Sequence, residues 1–303
     1  MSQDFDAMED EAPRGSTRTR IHHLLDPSRR SLMVGGLGAL AATLAGLPGC
    51  VAPPSRTATS RLGFQGIAPD TADRVVVPEG YSVEPLAPWG EPVGLPGFMP
   101  AWKPDASNSA EEQAAQMGMH HDGMHFYALD ADGRRGLLVT NHEYVDDGLL
   151  YPDGLKPWTA DKVRKSQAAH GISVIEIALD GGRWRVVRPS PHARRITANT
   201  PFAIGGPAAG HPLMRTAADP EGRRVLGTFA NCGAGRTPWG TFLSGEENFH
   251  FYFGGANAAD AHQRRWGLRK EAFYGWPAHD ERFDASRHPN EPNRFGWVVE
   301  IDP

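Results

Sequence analysis

Asn231-Cys232-Gly233-Ala234-Gly235-Arg236-Thr237-Pro238-Trp239-Gly240-Thr241-Phe242-Leu243-Ser244-Gly245-Glu246-Glu247-Asn248-Phe249 joins two extended runs through turn residues and holds one of only two cysteines. Val225 to Ala230 reads as a strand that delivers Asn231 and Cys232. Gly233-Ala234-Gly235 reads as a turn, and Thr241 to Ser244 as a second strand that delivers Glu246 and Glu247. Two strands ending this way bring Cys232 toward the acidic pair. A thiol is a soft donor and carboxylates are hard ones, so the set suits a transition metal beside a calcium-like ion. The bland alternative is a small buried thiol next to a solvated acidic turn. Arg236 offers a cation for bidentate phosphate contact, against an ordinary salt bridge. Thr237 and Trp239 are candidates for shaping a pocket there.

The flanking chain continues the β pattern. Gly136 to Thr140 is a strand opening into Asn141-His142-Glu143-Tyr144, which makes Glu143 a candidate ligand where a strand meets a loop. Before it, Met119-His120-His121-Asp122-Gly123-Met124-His125-Phe126-Tyr127 reads as a polar turn feeding a strand. His120 and His121 are adjacent and would face opposite sides, so Asp122 is the site candidate here. Thr159 to His170 is a capped helix whose Lys162, Arg164 and Lys165 form a solvated face, and Ser109 to Met117 is a short helix capped by Ser109. Ile172 to Ile177 alternates as a half-buried strand, and Asp180-Gly181-Gly182 turns it into Trp184 to Val187. Phe249 to Phe253 and Phe295 to Ile301 complete the strands. The glycines at 205, 206 and 210 lack the Gly-Lys-Ser/Thr ending of a nucleotide loop. Short sequential strands with two helices predict an all-β fold, sandwich or propeller, with irregular insertions.

The first fifty residues read as a targeting segment. Arg29-Arg30 precedes the uncharged run Leu32 to Leu47, the pattern of a twin-arginine export signal. That run is shorter than the roughly 20 apolar residues a spanning helix needs. Leu47-Pro48-Gly49-Cys50 resembles a lipoprotein box, which would leave a lipid anchor at Cys50. The expected partner of this segment is the twin-arginine export machinery, and the expected location is periplasmic or secreted. Residues 51–62 read as a Pro/Ser/Thr linker and 63–303 as one large domain. Either fate of Cys50 leaves Cys232 without a disulfide partner in an oxidising compartment, which favours a ligated sulfur. Six acids and five bases lie in residues 1–50. Of the 36 acids and 31 bases in all, 30 and 26 remain beyond them, a net charge of −4. That balance argues against a nucleic-acid surface but not against small anionic substrates, because bound cations reverse the local field.

The blocks VVVPEGYSVEPLAPWGEPVG, HHDGMHFYAL, GLLVTNHEYVD, KVRKSQAAHGISVIEI and GTFANCGAGRTPWGTFLSGEENFHFYF together resemble the PhoX-type alkaline phosphatases of bacteria, across residues 60–303. The resemblance implies a β-propeller and a site of iron and calcium ions with a bridging oxygen. It also implies an exported enzyme that releases phosphate from small phosphomonoesters. By resemblance, Cys232 takes the place of the iron-ligating cysteine, and Glu246 and Glu247 fall where metal-binding carboxylates are expected. Two other readings remain: a non-catalytic, calcium-stabilised exported propeller used for binding, and a redox protein built on the cysteine. Family members are longer than this chain, and a propeller needs its last blade to meet its first. The sequence therefore predicts that the 303-residue chain on its own is poorly stable and at most weakly active. Robust metal-dependent phosphomonoester hydrolysis by those 303 residues would contradict this.

Overall fold

A computed structural model describes residues 63–303; the twin-arginine motif, the apolar run, Cys50 and the linker lie outside the described residues. The chain divides at Ser82 into two units. In the first, the amide of Tyr81 donates to the Pro78 carbonyl (3.1 Å) with Gly80 at φ 84°, the turn expected from Pro-Glu-Gly. Among the described residues no helix is long and apolar enough to cross a membrane.

The second unit, Val83–Pro303, is all-β in character, as expected. Ten strands form three antiparallel sheets, the kind of separate small sheets from which propellers are assembled. The first sheet joins β1 (His121–Ala128), β2 (Arg135–His142), β3 (Gly171–Asp180), β4 (Arg183–Val186) and β5 (Arg194–Ile196). β4 and β5 share one edge of β3, β4 against its second half and β5 against its first. β6 (Pro201–Ala203) pairs with β7 (Arg224–Leu226). β8 (Asn231–Arg236), β9 (Phe242–Glu246) and β10 (Val298–Ile301) form the third sheet, with β9 in the middle. The hairpin at Gly181-Gly182 has both glycines at positive φ, as a tight two-residue turn requires.

Local signals hold where short-range chemistry dominates. Ser109 and Glu112 form a reciprocal capping box on helix Ala110–Gln113, and Thr159 caps helix Ala160–Ala169. Two further short helices, Asp147–Leu150 and Ala261–Trp266, were not expected. Several expectations are corrected. Gly233-Ala234-Gly235 is strand, not turn: Ala234 and Gly235 lie opposite Ser244 and Leu243, and the reversal falls at Thr237–Gly240. Phe249 to Tyr252 is a 3-10 turn, because coiling it buries both Phe249 and Tyr252 where an alternating strand would expose one face. β3 is buried on both faces rather than half-buried. Lys162 and Lys165 are also buried. Their stems lie in the core while the ammonium of Lys162 reaches the Gly154 carbonyl (2.7 Å) and that of Lys165 the Ala106 carbonyl (2.6 Å). Only Arg164 stays at the surface, paired with Asp161.

The main core is aromatic. Phe229, Tyr252, Phe253, Trp276 and Phe283 are fully buried, and Tyr252 stacks on Tyr274 at 4.4 Å. Half-buried Arg195 closes the end of helix Ala160–Ala169 by donating to the carbonyls of Ala168 (2.7 Å), His170 (3.0 Å) and, in β3, Ile172 (2.7 Å). Asp147 is buried beside Tyr151, and desolvation pushes its carboxyl up from 3.8 to about 7. The folded state therefore holds this proton more tightly than the unfolded chain, so stability falls as pH rises between about 4 and 7 and is flat above. Asp147→Asn removes that loss: its Tm relative to wild type should climb across this window, and a gap independent of pH would contradict the assignment.

Candidate metal centre

One ligand atom each from Asp122, Glu143 and Cys232 lie within 4.8 Å of one another. Three strands supply them. Asp122 is the second residue of β1, Glu143 directly follows β2, and Cys232 is the second residue of β8. The β1–β2 pairing sets His121 opposite His142, and the Glu143 amide donates to the His120 carbonyl (3.1 Å), so the first two acids come together through backbone geometry. β8 belongs to another sheet and needs its own tie. Asn141 provides it, donating from Nδ2 to the carbonyls of Cys232 (2.7 Å) and Gly233 (3.4 Å).

Gly123 permits the approach. A Cβ at this position would lie 2.5 Å from the Ala234 Cβ and 2.6 Å from the Cys232 carbonyl oxygen, closer than any side chain tolerates. β1 and β8 also begin alike. His120 (φ 43°) and Ala230 (φ 55°) are non-glycine residues in the left-handed region, each two positions before a member of the trio. Such strain is held only where the surroundings over-determine it, and it gathers at functional sites. The His120 ring lies flat on Tyr144 at 3.7 Å, flanking Glu143.

The acidic pair divides. The Glu246 carboxylate accepts from the amides of Gly296 (2.9 Å) and Trp297 (3.2 Å), and burial raises it to about 7. Glu247 turns to the other side: its amide donates to the Ala230 carbonyl (2.8 Å), and its carboxylate is among the groups that push the Cys232 thiol up. Consecutive residues at a strand end face opposite ways, so one reaches the sulfur and the other does not. Burial is the first cause that pushes the Cys232 thiol far up. Hydrogen bonds to Asp122 and Glu247 and the charges of Glu143 and Glu247 act in the same direction. Among the described residues neither Asp122 nor Glu247 is ion-paired to a Lys or Arg. A thiol amid carboxylates keeps its proton until a multivalent cation replaces it, and one soft donor among hard ones fits a metal ion.

The remaining candidates lie elsewhere. Thr237 is buried in the β8–β9 turn, where its hydroxyl accepts from the Thr241 amide (2.9 Å) and meets the Thr241 hydroxyl (2.7 Å). Arg236 stands four residues past Cys232, about 13 Å along the strand, with its guanidinium over the Tyr127 ring at 5.9 Å. Trp239 is exposed at the turn, its indole nitrogen donating to Glu300 (2.7 Å). Sequence reasoning missed Gly123 and Asn141, and also Asn231, whose buried Oδ1, like that of Asn141, has no hydrogen-bond partner among the described residues. A glycine inside a strand pattern was the available signal for Gly123; nothing local marks the asparagines.

An antiparallel β protein whose sheets bring one cysteine and two carboxylates together offers the donor set that a metal centre uses. Residues 62–303 match the family described as alkaline phosphatase PhoX, and the chain belongs to that family. A solved structure of Pseudomonas fluorescens PhoX in complex with vanadate, a transition-state analogue, is 44% identical with a TM-score of 0.76. The match covers 79% of this chain and 42% of that one, so this chain spans less than half of its length. A search of curated proteins returned no match.

Cys232→Ala and Asp122→Asn should each lower the metal content of the purified full-length protein, read by elemental analysis. Thr237→Ala should leave the content unchanged and cost about 1 kcal/mol of stability. Equal metal in all three variants would place the ion elsewhere.

Proposed function

We propose that this chain carries the metal-binding half-site of an exported alkaline phosphatase that hydrolyses small phosphomonoesters with iron and calcium. The single observation that carries this reading is the convergence of Asp122, Glu143 and Cys232. Family membership supplies the activity class. The vanadate bound by the Pseudomonas fluorescens protein, a transition-state analogue, supports it by likeness.

In this reading Cys232 gives up its proton and its sulfur serves as a ligand rather than a nucleophile. Asp122, Glu143 and Glu247 supply oxygen donors. Bound cations would supply positive charge for the phosphoryl oxygens and an acidified water. Glu246 keeps the Gly296-Trp297 backbone docked against the end of β9. Asn141 holds the Cys232 carbonyl, so the sulfur's position is fixed before any ion arrives. A scaffold held by calcium alone would draw on oxygen donors only; a thiol at the centre speaks for a transition metal. Export by the twin-arginine route fits the same picture, since a folded protein can load its metal before leaving the cytoplasm, and lipid attachment at Cys50 would hold it at the membrane.

The test is hydrolysis of p-nitrophenyl phosphate by the full-length protein with and without a calcium chelator. Chelation and Cys232→Ser should each reduce kcat by at least about 100-fold. A Cys232→Ser protein with wild-type kcat would remove the sulfur from the reaction.

A further inference from the structure

We propose that Arg236, seated on Tyr127, binds a second negatively charged group on the leaving portion of a phosphomonoester, and so sets a preference for bisphosphate-type esters. This rests on the phosphatase reading above and names the substrate class for that site.

Three contacts between β1 and β8 run in step: Asp122 with Cys232, Gly123 with Ala234, and Tyr127 with Arg236. The strands therefore lie side by side in the same direction, from the candidate metal centre at one end to the guanidinium at the other. Ala234 and Arg236 are both exposed, so the seam is open to solvent along this stretch. Arg236 is not a mobile surface cation without a seat. Its guanidinium lies over the Tyr127 ring, and that ring packs against the cluster of Leu137, Val139 and Phe242. The edge of His125 meets the same ring at 4.8 Å. Most other arginines near the sheets are spent on carboxylates, as Arg135 is on Glu176 and Arg188 on Glu91. Arg236 makes no salt bridge or hydrogen bond to a side chain among the described residues, and its planar fork is free to take an anion.

Distance decides the role. About 13 Å along the strand is too far for Arg236 and the Cys232 cluster to hold one phosphate. It suits two anionic groups of one ester, with the linking skeleton lying along Ala234. Cation–π seating orients the guanidinium at low entropic cost, so the second contact acts mainly on binding.

The experiment compares hexose 1,6-bisphosphate with hexose 6-phosphate on the metal-loaded, full-length protein, by kinetics and by direct calorimetric binding. Arg236→Gln should lower the bisphosphate-to-monophosphate ratio of kcat/KM at least tenfold, about 1.4 kcal/mol, chiefly through KM. It should weaken bisphosphate binding by the same factor, and Arg236→Lys should restore part of both. An unchanged ratio, or an equal loss on both esters, overturns the proposal. Arg236-dependent binding of the bisphosphate without hydrolysis of either ester would keep the subsite and overturn the phosphatase reading. No binding and no hydrolysis overturns both.

Discussion

The structure depends on one electrostatic constraint: carboxylates from three separate segments converge on a single sulfur. Asp122, Glu143 and Glu247 would repel one another and hold the Cys232 proton in place unless a cation intervenes. Anionic groups are not gathered for their own stability. The rest of the fold forces the meeting, through the bare backbone of Gly123, the Asn141 bond to the Cys232 carbonyl, and left-handed starts at His120 and Ala230.

That forcing needs a rigid support, and the support is aromatic. Tyr252, Tyr274, Trp276 and Phe229 pack into a buried block behind the centre, and His170 bridges it to helix Ala160–Ala169 through Tyr252 Oη (2.8 Å) and the Ser166 carbonyl (2.7 Å). Met119 and Val145, close in sequence to Asp122 and Glu143, belong to the same buried cluster, which sets the block beside the segments that carry the acids. Rigid aromatic packing of this kind lets a strained, charged cluster persist at a cost covered elsewhere in the core.

Much of this was legible in the residues, and the rest was not for physical reasons. The caps at Ser109 and Thr159 and the Gly181-Gly182 hairpin are local chemistry and read correctly. Asp122, Glu143 and Cys232 were recognisable as ligand types, but their meeting is tertiary and no spacing encodes it. Glu246 and Glu247 look alike in sequence; only the strand end, which sends one to the Gly296-Trp297 backbone and the other to the sulfur, separates them. Gly233-Ala234-Gly235 carries every mark of a turn, yet β9 pairs with it and overrides the local preference. The burial of Lys162 and Lys165 depends on carbonyls of Gly154 and Ala106 that no helix pattern announces.

X-ray absorption at the iron edge of the purified, full-length protein tests the central claim most directly, because it counts sulfur neighbours of the metal. One sulfur among oxygen donors, absent when Cys232 is replaced by serine, is the predicted result. A coordination sphere of oxygen and nitrogen alone in the wild-type protein would contradict it.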